Sequence, residues 1–98
     1  MTPNSNYILN VTFHCEHTAL NDVRYFLTHR LLPNWRGVWG EVTLLALPDG
    51  QGFAVQVRHP DSEALRSFEP GEDPDVRKIM SVYPNIVTFF ATLLEVIG

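Results

Sequence analysis

Ile86-Val87-Thr88-Phe89-Phe90-Ala91-Thr92-Leu93-Leu94-Glu95-Val96-Ile97 is apolar along nearly its whole length and on both of its faces. Val87, Phe89, Ala91 and Leu93 fall on one side of an extended chain, and Phe90, Leu94 and Val96 on the other. The abundance of Phe, Val, Ile and Thr reads as a strand and not as a helix, because branched and aromatic side chains pack well on a pleated surface. A strand of this kind needs cover on both sides, and that requirement organises the rest of the reading.

Toward the N-terminus, Tyr7 to Cys15 alternates: Tyr7, Leu9, Val11, Phe13 and Cys15 against Ile8, Asn10, Thr12 and His14. That period of two predicts a strand buried on one face. Thr18 can cap a helix whose stripe is Leu20, Val23, Leu27 and Leu31, with Pro33 ending or bending it near Leu32 and Gly37 beyond its end. Val38 to Leu47 and Phe53 to His59 read as a hairpin closed by Pro48-Asp49-Gly50-Gln51-Gly52, where Asp-Gly tolerates the positive φ of a tight turn. A second helical region starts at Asp61 or Ser62 and breaks at Glu69-Pro70-Gly71-Glu72. It restarts with Asp73 as cap and Pro74 at the first helical position.

The order strand, helix, strand, strand, helix, strand predicts an α+β fold of the ferredoxin-like βαββαβ type. It is a four-stranded antiparallel sheet with two helices on one face, the second of them interrupted. Residues 1–6 read as a disordered N-terminal tail and 7–98 as a single domain, with no signal-peptide pattern in the tail. The second sheet face would then carry Asn10, Thr12, His14, Gln56 and Arg58 beside Phe90 and Leu94. A second subunit or a ligand is needed to cover it, and a homodimer through the sheet face or edge is the expected arrangement.

Two segments carry a resemblance that spans nearly the whole chain: Tyr7-Ile8-Leu9-Asn10-Val11-Thr12-Phe13, and Phe89-Phe90-Ala91-Thr92-Leu93-Leu94-Glu95-Val96-Ile97. In these the sequence resembles an uncharacterised bacterial family of short plait proteins, a domain of unknown function. The resemblance implies the same fold, and it brings no activity and no catalytic residues. The Glu69 to Pro74 interruption departs from the family pattern, in which a longer continuous second helix is expected.

Composition narrows the function classes. Of 98 residues, 7 are Lys or Arg against 11 Asp or Glu, so the net charge is −4 and no basic stripe is present to displace counterions from a nucleic acid or an anionic membrane. No apolar run reaches the length of a membrane span. The single cysteine, Cys15, forms no internal disulfide, which fits a reducing, cytoplasmic setting.

His14-Cys15-Glu16-His17 offers metal donors, yet neighbours on a strand point to opposite faces, so His14 and Cys15 cannot share an ion without a bulge or a strand end. His14 and His17 could do so if the strand stops at Cys15, but packed or solvated strand-end residues are the preferred reading and no metal site is assigned. Cys15 continues the apolar face of Phe13 and reads as an unreactive buried thiol. Trp35, Arg36 and Trp39 read either as a lid or partner anchor or as the cap on one end of the core. The acidic run Glu69, Glu72, Asp73 and Asp75 reads as a solvated loop with helix-end charges.

The candidate ligand set is therefore Asn10, Thr12, His14, Gln56 and Arg58 on the open sheet face. In the leading reading the protein is a non-enzymatic homodimeric interaction module without a cofactor. One alternative is a small dimeric α+β-barrel enzyme, monooxygenase- or isomerase-like, with His14 as base and Arg58 as anion holder in one cavity. A second is a sensor of an unidentified small molecule at the dimer interface.

Overall fold

The computed structural model describes residues 6–98; residues 1–5, most of the expected tail, lie outside the described residues. Asn6 already belongs to the first strand, β1 (Asn6–Cys15). It is followed by β2 (Val42–Ala46), β3 (Gly52–His59) and β4 (Val87–Val96). Neighbouring strands are antiparallel and lie in the order β2-β3-β1-β4, with β1 and β3 in the middle. This is an α+β fold with one four-stranded antiparallel sheet, compatible with a βαββαβ plait.

The stripe from Leu20 to Leu31 does form a helix, but Pro33 does not end it. The chain stays helical from His17 to Trp39. A 3₁₀ turn (His17–Ala19) leads into α1 (Leu20–Phe26), a π turn (Leu27–Leu31) and α2 (Leu32–Trp39). In the π turn the Leu32 N–H bonds to the Leu27 carbonyl, five residues back. That wider turn makes room for the proline ring, which an α turn would drive into the carbonyl of His29. Thr18 lies inside the opening turn, and no side-chain cap holds it. Gly37 sits within α2, and the helix ends instead at Gly40, whose φ of 85° and N–H bond to the Arg36 carbonyl close the last turn. β2 consequently begins at Val42, four residues after the expected Val38.

The hairpin and the broken second helix follow the sequence closely. Gly50 has φ 73°, and Asp49 accepts a hydrogen bond from the Gln51 N–H, fixing the turn. Asp61 caps α3 (Ser62–Ser67), and a 3₁₀ turn (Pro70–Glu72) separates it from α4 (Pro74–Val82). Asp73 caps α4 with its side chain, and Pro74 occupies the first turn as expected.

All helical elements pack on one face of the sheet. Val11, Phe13, Val55 and Val57 are fully buried there against Val23, Leu27, Leu31, Leu65 and Val76. Burying each such side chain contributes roughly 1.5–3 kcal/mol, so this layer is the dominant source of stability.

Candidate functional site

The register fixes what lies on the opposite face. One row across the sheet reads Thr43, Gln56, Asn10, Thr92, and the next Leu45, Ala54, Thr12, Phe90. A third carries Arg58, Ile8 and Leu94. Among the described residues no helix covers these rows. Phe90 is 51% exposed, Leu94 45% and Leu45 40%, while Thr12 and Ala54 are shielded between larger neighbours.

Three of the five expected residues do come together. The Gln56 Nε2 donates to Asn10 Oδ1 (3.1 Å), and Asn10 Nδ2 donates to Thr12 Oγ1 (2.9 Å). The result is a short polar ladder across β3 and β1, held in one geometry by its own hydrogen bonds. Among the described residues no buried side-chain nitrogen or oxygen lacks a partner.

His14 and Arg58 do not join it. His14 is opposite Gly52 and Arg58 opposite Ile8, six residues apart along β1, or roughly 20 Å at the rise of a strand. Arg58 is engaged at the surface with Glu41 (3.1 Å). His14 stacks on Phe90 with ring centroids 5.9 Å apart. No small substrate spans that distance within one chain, so a cavity holding both residues has no support from the geometry.

His14 instead opens onto a cleft of about 580 Å³ at the end of the sheet, shared with Glu16, His17, Gln51, Asn85 and Thr88. β1 does stop at Cys15, the condition under which His14 and His17 could share an ion. Even so, among the described residues no three His, Cys, Asp or Glu side chains gather to hold a metal.

Cys15 also borders this cleft, but it belongs to the buried core. It is 7% exposed, and burial pushes its thiol up from 9.0 to about 11 by penalising the thiolate. A folded state that excludes the thiolate keeps this stability below pH 9 and loses it as pH rises toward 11. At pH 8, ionisation alone should slow alkylation by iodoacetamide about a hundredfold relative to the urea-unfolded chain, two pKa units being two decades of thiolate. Equal rates by mass spectrometry would contradict the buried thiol.

Trp35, Arg36 and Trp39 are parts of the fold. Trp35 is 3% exposed, packs edge-on against Phe68 and donates its Nε1–H to Asp73 Oδ1 (3.1 Å). Arg36 Nε donates to the Val42 carbonyl, and Trp39 lies between Phe68 and His59. They close one end of the core. Asp73 and Asp75 likewise leave the expected solvated loop: Asp75 is 8% exposed and accepts from Asn34 Nδ2 (2.8 Å).

One further surface feature escapes the sequence pattern, a groove of about 260 Å³ between α1 and α4 lined by Tyr25, Phe26, Val82 and Tyr83. Its only sequence signal is that Tyr25 and Val82 are apolar yet off the core stripe. Among the described residues no helix is long and apolar enough to cross a membrane. The chain matches no family model and no curated protein.

Proposed function

We propose that the chain is a non-enzymatic homodimeric interaction module with the ferredoxin-like plait, in which a second copy covers the C-terminal strand. The strand order supports the plait, since β1 and β3 are central and β2 and β4 lie outside. The dimer rests on one observation: β4 is apolar on both faces, but among the described residues the helices bury only Val87 and partly cover Phe89 and Leu93 on one of them, leaving Phe90 and Leu94 on the other about half exposed beside Thr92. Apolar area of this kind on an edge strand marks an association surface. The pre-bonded Gln56–Asn10–Thr12 ladder supports a rigid polar floor beside that surface and no acid–base pair.

Light scattering at tens of micromolar should give twice the 11.2 kDa chain mass. Leu94→Asp, which places a charge where the single chain already tolerates solvent, should weaken association at least tenfold by burying that charge unpaired in the dimer. A monomeric wild-type chain at that concentration would end this reading.

A further inference from the structure

The outer edge of β4 carries more information than its apolar faces. The Glu16 N–H donates to the Ile86 carbonyl (3.0 Å), and this pair continues the β1–β4 register. Even-numbered residues of β4 therefore turn their backbone groups toward β1. Phe89, Ala91, Leu93 and Glu95 turn theirs outward, because adjacent residues of an antiparallel strand alternate in hydrogen-bonding direction, while the Val87 N–H donates to the Tyr83 carbonyl (3.2 Å). Among the described residues no strand lies on that side.

Edge strands in monomers are usually short, charged or broken by a bulge or a proline. β2, at the opposite edge, follows that rule with five residues and Pro48 just beyond. β4 does not. It runs for ten residues in unbroken register with β1 and contains neither proline nor a basic residue.

We infer that β4 pairs with β4 of a second copy, antiparallel and edge to edge, about a twofold axis passing through Thr92, to give one continuous eight-stranded sheet. The inference rests on the homodimer proposed above and adds its geometry. A twofold axis normal to the sheet keeps each residue on its own face, so paired positions must share parity. Of the registers this leaves, centring on Thr92 sets Phe90 opposite Leu94 of the second copy, twice by symmetry, and Thr92 opposite itself. These are non-hydrogen-bonded positions, where facing side chains come closest. Ala91 and Leu93 then exchange backbone hydrogen bonds across the axis. Glu95, the strand's single charge, faces Phe89 and stays clear of its own copy. Sliding two residues either way sets Phe90 or Leu94 against a threonine.

The register is tested by crosslinking, since the sole native cysteine, Cys15, is buried. Under copper–phenanthroline oxidation Thr92→Cys should form a disulfide-linked dimer at least tenfold faster than Phe90→Cys or Leu94→Cys, because a self-opposed pair has Cα atoms about 4.5 Å apart. Ala91→Pro supplies the second arm. It removes an outward N–H and none from the β1 ladder, a position where edge strands accept proline. It should leave far-UV circular dichroism unchanged and convert the dimer to monomer.

Fast crosslinking at another position, or a folded Ala91→Pro protein that still dimerises, overturns the edge pairing and leaves the homodimer standing through the sheet face. A monomeric wild type overturns both.

Discussion

Replacing Gly52 by alanine is expected to cost about 4 kcal/mol and to lower the melting temperature by about 20 °C for a domain of this size. Gly52 opens β3 directly opposite His14, where the backbones of β3 and β1 come together. A Cβ built there runs into the carbonyl oxygen of Phe13 and lies 3.1 Å from the Cα of His14. Neither atom belongs to a flexible side chain. Relief requires the two central strands to part, at the point where Phe13 anchors the core with no exposed surface. Glycine in a strand commonly marks such a close backbone approach.

Gly50→Ala is the matched control. Gly50 has a positive φ of 73°, but a Cβ there meets nothing within 4 Å. Its cost is conformational alone, about 1–2 kcal/mol. Chemical denaturation of the two variants separates a steric clash from a general intolerance of the loop. If Gly52→Ala were no worse than Gly50→Ala, β1 and β3 would have slack at that crossing.

The same pair of glycines shows what was legible in the residues and what was not. Asp49-Gly50 announces a turn through a dipeptide preference, which is local chemistry. Gly52 owes its role to a strand 38 positions away in the chain, and nothing local signals that. Pro33 tells the same story in reverse. Its local rule is to stop a helix, but Leu31, Leu32 and Trp35 all find core contacts if the helix continues. A π turn reconciles the two, and tertiary burial outweighs the local penalty.

The candidate site divides along similar lines. Alternation placed Asn10, Thr12, His14, Gln56 and Arg58 on one sheet face, and that placement matches the register. Which of them meet depends on strand offset, which alternation does not carry. The register brings Gln56, Asn10 and Thr12 together and separates His14 from Arg58. The tryptophans were ambiguous because hot-spot anchors and core caps have the same composition. Burial places Trp35 in the core, whereas Trp39 is only partly buried against it.

Asp73→Ala should be the other severe substitution, with a loss of about 3 kcal/mol. The carboxylate has two structural jobs. Its Oδ2 accepts from the N–H groups of Asp75 and Val76, capping α4, and its Oδ1 accepts from Trp35 Nε1 on α2. Losing the cap costs about 1–2 kcal/mol. Stranding the indole N–H in a residue 3% exposed adds roughly 1–3 kcal/mol, the desolvation of an unpaired donor. Asp73→Asn keeps a capping oxygen, yet its amide end cannot accept from Trp35, so about half the loss should return.

Trp35→Phe completes a double-mutant cycle. With the indole donor already removed, Asp73→Ala should cost about 1 kcal/mol less than in the wild-type background. Strict additivity in urea titrations would mean that the 3.1 Å contact contributes nothing and that capping alone explains the effect. Both residues belong to the helical layer, on the far side of the sheet from Phe90 and Leu94. The folded Asp73 variants should therefore keep the hydrodynamic mass of the parent, whereas Leu94→Asp should lose it with little change in the chain's own stability. Crossed effects, in which the helical-layer variants dissociate the dimer while folded, would place the association surface on the helices instead of β4.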